Sequence, residues 1–321
     1  MQGSYQIRAL TPTEIRTAAD WAAREGWNPG HSDAACFASV DPEGFWGGFL
    51  DGQMIACISV VNYGQAFAFL GFYIVAPAHR GQGYGYALWQ KALEHAGGRV
   101  VGLDGVVDQQ ANYRRSGFEL AYRNIRFGGV PAGGLQAAAD FELSPLSAPA
   151  AELEALDARV FPAPRPVFWQ QWLGAAGHHS FAAYRDGRLA GFGTLRRCGS
   201  GCKIGPLVAV SRPAAVAVLA RLLQELPPGQ EVFLDVPEPH AAAVELARGL
   251  GLAPVFETAR MYRGPAPQLE TDLISGVTCC ERGEGAPPPP PLDRGSAPFS
   301  PETVPRTVPG TGFTPGVFLQ R

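Results

Sequence analysis

A mixed α/β chain built as two tandem copies of one strand–helix module is predicted by three observations. Residues 68–93 read AFLGFYIVAPAHRGQGYGYALWQKAL, an apolar strand-like run, a basic glycine-rich turn and then a helical pattern. The elements inferred over residues 1–128 run β-α-α-β-β-β-α-β-α-β-β. The same series begins again after a small-residue linker at 130–143, with corresponding features about 130–136 residues apart, the signature of an internal repeat.

Ile7-Arg8-Ala9-Leu10 gives a short first strand. Thr11-Pro12-Thr13-Glu14 supplies an N-cap, a proline at the first helical position and an acid in the first turn. That helix should reach Arg24 and stop near Gly26. Gly26-Trp27-Asn28-Pro29-Gly30 reads as a loop and 33–37 as a second short helix. Strands at 45–50 and 54–60 flank Asp51-Gly52, a strong hairpin dipeptide. The strand at 68–75 then enters the turn. Past it, Gly85, Leu88, Trp89, Ala92, Leu93 and Ala96 form an i, i+3, i+4, i+7, i+8, i+11 stripe. Residues 100–107 make the next strand, with Asp104 among apolar neighbours. A short helix at 109–115 ends at Gly117, and 118–127 holds two strand-like pieces.

In the second copy, 150–160 is helical and strands at 181–184 and 189–195 flank Asp186-Gly187. An apolar strand at 203–210 precedes a helix striped by Ala215, Val218, Leu219, Leu222, Leu223 and Leu226. The strand at 232–236 carries Leu234-Asp235 as the earlier one carries Leu103-Asp104, and a helix at 240–248 ends near Gly251.

The turn Arg80-Gly81-Gln82-Gly83-Tyr84-Gly85 lets the backbone bend sharply and approach a ligand without Cβ clashes. It delivers the unpaired N–H groups of a helix N-terminus, where the dipole favours negative charge, so the unit is a phosphate cradle. Its glycines do not fit GxGxxG. They do fit (Q/R)xxGx(G/A), with Arg80, Gly83 and Gly85 in the motif positions. On these residues the sequence resembles the GNAT superfamily of acyl-CoA-dependent N-acetyltransferases. The resemblance covers about residues 5–280. It implies tandem GNAT-like folds, each a mixed central β-sheet flanked by helices: an N-terminal acetyltransferase module at 1–129, the linker, and a degenerate C-terminal module at 144–281. The second copy has Ala209-Val210-Ser211-Arg212-Pro213-Ala214 where the turn should stand, without glycine, so only the first is expected to hold CoA.

Composition bounds the partners. At 321 residues and 46% apolar the chain can bury two cores, and a net charge of −3 implies no polyanion-binding surface. No run reaches the ~18–20 apolar residues of a membrane span, and the N-terminus lacks a signal-peptide layout. Six cysteines stand at 36, 57, 198, 202, 279 and 280. Cys198 and Cys202 could form half a zinc site, but no second pair or histidine lies at ligand spacing. Reduced thiols, a cytoplasmic location and no metal are expected. Five consecutive prolines at 287–291 mark 282–321 as a disordered tail.

Acyl transfer from a thioester to an amine needs a polarised carbonyl, a deprotonated amine and a protonated leaving thiolate. By the resemblance, the turn residues Arg80, Gly81, Gln82, Gly83, Tyr84 and Gly85 hold the pyrophosphate of acetyl-CoA, and the strand edge Tyr73, Ile74 and Val75 takes its pantetheine. Tyr113 opens Tyr113-Arg114-Arg115-Ser116-Gly117-Phe118, which matches the family's YxxxGF segment and implies a general acid, with Asn112 beside the cofactor. No carboxylate stands on strand 68–75, where some relatives carry one. Asp104 is therefore the candidate base, although its repeat counterpart Asp235 points to a structural role. Trp27, Asn28, Asp33, Phe37 and Phe45 are the expected acceptor wall. The expected partners are a small-molecule amine or amino acid and, at most, a second copy of the chain, with no nucleic acid and no membrane. The rival readings are a non-catalytic CoA-binding regulatory module and an interaction scaffold with a Pro-rich tail.

Overall fold

The computed structural model describes residues 4–133, 135 and 139–278, and the backbone of 283–284; apart from that backbone, the expected tail at 282–321 lies outside the described residues. The first half contains β1 (Tyr5–Ala9), α1 (Pro12–Arg24), α2 (Asp33–Val40), β2 (Phe45–Leu50), β3 (Gln53–Tyr63), β4 (Phe67–Val75), α3 (Tyr84–Ala96), β5 (Val100–Val106), α4 (Gln110–Arg115) and β6 (Phe118–Gly129). The second contains β7 (Glu142–Pro145), α5 (Ala151–Asp157), α6 (Pro166–Gly174), β8 (His178–Arg185), β9 (Arg188–Arg197), β10 (Cys202–Ala209), α7 (Arg212–Leu223), β11 (Val232–Pro237), α8 (Ala241–Gly249), β12 (Ala253–Arg263) and β13 (Ile274–Gly276), and β14 (Gly283–Glu284) follows. The expected mixed α/β architecture with a central sheet is what the chain adopts.

Local chemistry explains the element boundaries. Thr11 and Glu14 form a reciprocal capping box at the start of α1, with Pro12 in its first turn. Asp51 and Asp186 take positive φ (50° and 51°) ahead of Gly52 and Gly187, as a tight hairpin demands. Helix α6 was not expected. Arg165-Pro166 opens it, and Phe168, Trp169, Trp172 and Leu173 bury one face.

The strands form one sheet in the order β1-β2-β3-β4-β5-β12-β6-β11-β10-β9-β8-β7. The sixth strand of each half has changed places with the other's. β12 of the second half lies antiparallel between β5 and β6 of the first, while β6 pairs with β11 of the second. Each exchange carries a buried ion pair. Asp104 on β5 stands opposite Arg260 on β12 and accepts from its Nε and Nη2, both at 2.7 Å. Asp235 on β11 stands opposite Arg126 on β6 and accepts at 2.6 and 2.9 Å. Burial alone would raise Asp235, but the Arg126 guanidinium outweighs it and holds the carboxyl at about 2.

The central strands part in both halves. β4 and β5 run parallel from Phe67↔Val100 to Leu70↔Leu103 and then separate; β10 and β11 do so after Ile204↔Leu234. In the second half the gap is filled by β13, which pairs with Leu207 and Val208 of β10 while the Val277 amide donates to the Asp235 carbonyl. In the first half β14 pairs in parallel with Tyr73 and Ile74 of β4.

Candidate active site

The glycine turn joins β4 to α3. Gly81 and Gly83 take φ of +75° and +86°, and among the described residues a β-carbon on either would meet no atom within 4 Å. Gly83 is the N-cap of α3, which no side chain caps among the described residues, leaving its first-turn amides without a partner inside the helix. Gly85 differs. A β-carbon there would come 2.5 Å from the Tyr73 hydroxyl and 2.7 Å from Val75, so Gly85 is what lets α3 rest on β4. Arg80 donates to the Val75 carbonyl and pairs with Glu25 at 3.0 Å; Gln82 donates to the Ala78 carbonyl, and the Tyr84 carbonyl accepts from Tyr5. At the equivalent helix in the second half, α7, the Ser211 side chain accepts from the Ala214 amide and Pro213 has no N–H to offer. That helix start is closed by its own residues.

Beside the turn, β4 is irregular where it parts from β5. Its register against β3 shifts between Ser59↔Gly71 and Cys57↔Ile74, and Phe72 takes φ +48°, a strained backbone for a non-glycine residue. The Phe72 carbonyl accepts from Cys57 Sγ, a thiol that burial pushes up to about 12. Tyr73 and Val75 face α3, whereas Phe72 and Ile74 pack with the α1–α2 core. Among the described residues the Tyr73 hydroxyl is buried without a hydrogen-bond partner, and burial raises its pKa.

Tyr113 is buried on the α3 side, stacked on Trp89 with centroids 5.8 Å apart. Its ring lies against β5 where a side chain on Gly105 would clash at 2.2 Å. Asn112 is turned into its own helix, donating to Gln109 and accepting from Arg115.

Asp104 lies on the other face of β5 and is fully buried. Besides Arg260, Asn124 Nδ2 donates to it at 2.8 Å, so accepting a proton would break a buried, doubly bonded ion pair. Burial works against the Arg260 charge, yet the adjacent Asp104 carboxylate keeps that guanidinium's pKa above its ordinary value.

Of the five acceptor-wall candidates, Phe37 lines a cleft between α2, the β3–β4 hairpin and the second half. The others sit elsewhere. Trp27 is in the core, its carbonyl accepting from Arg126; Asn28 exchanges hydrogen bonds with Ser200, and its carbonyl accepts from Lys203. Asp33 is fully buried against Arg196 and the Gly30 amide, and Phe45 packs on Phe72. The 27–33 segment is thus where the second half grips the first. Arg165 and Arg260, both on the cleft wall, were not foreseen, because nothing local in the sequence brings them beside β4.

With this geometry in place, the comparisons are specific. Residues 9–118 match the model of the acetyltransferase (GNAT) family, and residues 153–275 match that of an acetyltransferase (GNAT) domain. A curated relative, holothin acyltransferase of Pseudoalteromonas sp. (strain SANK 73390), is 32% identical over 265 residues, covering 82% of this chain and 90% of the relative. The chain belongs to the GNAT acetyltransferase family. It is an acyltransferase with two GNAT modules. Among solved structures, a candidate acetyltransferase from Pyrococcus horikoshii superposes with a TM-score of 0.73 at 21% identity, covering 88% of this chain and 96% of that one. A tandem GNAT protein from the clavulanic acid biosynthesis pathway gives 0.56 at 16% identity, covering 82% of this chain and all of the other. At these identities both speak for the fold alone.

Proposed function

We propose that the first module transfers the acetyl group of acetyl-CoA to a primary amine of a small molecule by direct attack, with no covalent enzyme intermediate. One contrast carries this reading. The first module keeps an α3 N-terminus that no side chain caps among the described residues, while the second closes the equivalent helix start with Ser211 and Pro213; the parted β4 edge beside it meets the two residues of β14 where the second module has β13.

The residues fit acyl-CoA. First-turn amides of α3 and the turn at 81–85 meet the pyrophosphate, and the β4 edge at Tyr73, Ile74 and Val75 meets the pantetheine. The irregular backbone at Phe72 aims main-chain groups at the thioester carbonyl. As the amine nitrogen bonds to that carbon and the C–S bond breaks, Tyr113 gives the departing sulfur its proton, and the proton the nitrogen sheds, passed through water, restores the Tyr113 hydroxyl. Asp104 acts as a positioning residue that fixes Arg260. The relative named for holothin makes that compound one acceptor to try.

Calorimetric titration of acetyl-CoA tests the reading. Micromolar binding to wild type, lost in Gly83→Trp with the circular dichroism unchanged, is expected. Tyr113→Phe should lower kcat by about 10²-fold and leave the acetyl-CoA Kd alone. A folded wild-type protein that does not bind acetyl-CoA overturns it.

A further inference from the structure

Cys57 is a fully buried thiol to which the chemistry above gives no part. It stands on β3 beside the irregular stretch of β4, and its Sγ lies 3.3 Å from the Phe72 carbonyl oxygen. The register explains why that carbonyl takes a side-chain partner. Ser59 pairs with Gly71 and Cys57 with Ile74, so Phe72 and Tyr73 together stand against Ile58. Such a bulge interrupts the ladder of main-chain hydrogen bonds. On its other side β4 has already left β5 after Leu70. Burial pushes the thiol up to about 12 while the Ile74 amide pulls the other way, so at neutral pH the sulfur keeps its proton and donates it.

The contact fixes more than one oxygen. The peptide joining Phe72 to Tyr73 is trans, and in a planar trans unit the C=O and the N–H point in opposite directions. With the carbonyl turned to the thiol on β3, the Tyr73 amide is turned away from β3, toward the edge that β4 presents after parting from β5. The backbone of β14 pairs with Tyr73 and Ile74, so the main chain of this stretch does face outward. Phe72 takes φ +48° to make the turn, a conformation that a non-glycine residue keeps only where its surroundings impose it. Here the thiol holds its carbonyl and Phe45 packs on its ring.

The second module has the same bulge without the same parts. Leu195 pairs with Ile204 and Gly193 with Leu207, so Gly205 and Pro206 together stand against Thr194. By register Gly193 answers to Cys57, Gly205 to Phe72 and Pro206 to Tyr73. The glycine has no side chain to donate, and the Gly205 carbonyl accepts from Arg196 Nη1 at 2.5 Å. The proline has no N–H. The half whose helix start is closed by Ser211 thus lacks both the thiol and the amide that a thiol would aim.

We propose that Cys57 is a positioning residue of the first module: its S–H holds the Phe72 carbonyl so that the Tyr73 amide is aimed at the oxygen of the acetyl thioester; this rests on the acyl-CoA reading above. The thiol itself makes and breaks no bond to substrate. As the amine nitrogen bonds to the carbonyl carbon, negative charge gathers on that oxygen, and a donor already aimed there stabilises it without reorienting. A neutral clamp suits the place. A buried guanidinium needs a counter-ion, as Arg196 has Asp33, whereas a thiol holds the carbonyl without one.

The test uses the full-length protein and acetyl-CoA labelled with carbon-13 at the thioester carbonyl. Cys57→Ser keeps a donor, Cys57→Ala removes it, and Cys57→Val removes it while filling the space. Infrared difference spectra of bound against free cofactor should show the labelled carbonyl stretch at lower frequency with wild type and Cys57→Ser. With Cys57→Ala and Cys57→Val most of that displacement should be lost. The acetyl-CoA Kd should change by no more than about fivefold in any variant, the worth of one hydrogen bond to a neutral carbonyl. Without cofactor, amide hydrogen exchange over residues 71–74 should quicken in Cys57→Ala and Cys57→Val and stay as in wild type in Cys57→Ser. A full carbonyl displacement or unchanged exchange in Cys57→Ala and Cys57→Val overturns the inference. So does an equal loss in Cys57→Ser, no displacement in wild type, or a fold lost in both variants without a donor. Failure of folded wild type to bind acetyl-CoA removes the functional reading itself and this inference with it.

Discussion

Gly81, Gly83 and Gly85 stand two apart in the chain and serve different ends. The first two need positive φ and leave room above the helix start, whereas Gly85 lets α3 touch β4. The motif spacing was legible in the sequence, but this division of labour depended on what surrounds each glycine. A second residue-scale consequence concerns His178. Its Nδ1 lies 2.9 Å from the Trp172 carbonyl, which assigns the proton to Nδ1, and its Nε2 faces Asp33 at 3.8 Å. Burial lowers its pKa to about 4; Asp33 opposes that shift, while Arg196 and His179 add to it. The unfolded chain, with an ordinary value of ~6.5, therefore takes up a proton that the folded chain refuses between pH ~6.5 and ~4. Stability contributed by neutral His178 is full above that window and is lost as pH falls through it, by on the order of 3 kcal/mol. Melting temperature measured against pH should decline there, and His178→Asn, which keeps a donor for Trp172, should flatten the decline. An equal slope in both proteins would refute the assignment.

At the scale of elements, hairpins, helix stripes and the glycine turn were legible because each is written in consecutive residues. Asp51-Gly52, Asp186-Gly187 and the stripe from Gly85 to Ala96 all specify local backbone. Strands β7, β13 and β14 are short and have no period of their own, so their pairing comes from the neighbour they meet. Of the acceptor-wall candidates only Phe37 lies on the cleft wall. Phe37 could be placed from its helix, but Arg260 reaches β5 only because β12 crosses from the other half. Strand β14 has a consequence for the cofactor edge. Its backbone pairs with Tyr73 and Ile74, the edge proposed above for pantetheine, so on that proposal acyl-CoA and this segment would compete for the same main-chain groups. Removing residues 283–321 should tighten acetyl-CoA binding by roughly 3–10-fold, the worth of one or two backbone hydrogen bonds. An unchanged or weaker Kd in the shortened chain would show that the segment does not contest the edge.

For the whole molecule, the strand exchange decides how the halves behave. The repeat was readable, but the exchange was not, since a strand's alternation is the same whichever half it joins. Its chemistry is the pair of opposed Asp–Arg contacts, Asp104 with Arg260 and Asp235 with Arg126, each linking the fifth strand of one half to the sixth strand of the other. Arg126 also donates to the Trp27 carbonyl and Lys203 to that of Asn28, so the 27–33 loop is tied to the same seam. With hydrogen bonds continuous through β5, β12, β6 and β11, neither half can lose its core without exposing strands of the other. Calorimetry should therefore show one cooperative transition with matching calorimetric and van't Hoff enthalpies. Arg126→Met leaves Asp235 buried and unpaired at a cost of about 3–5 kcal/mol, which should lower that single transition by roughly 10 °C without splitting it. Adding Asp235→Leu removes the stranded charge and should restore most of the loss. Two separable transitions, or a variant in which only one half melts early, would mean that the exchanged strands join the modules without coupling them.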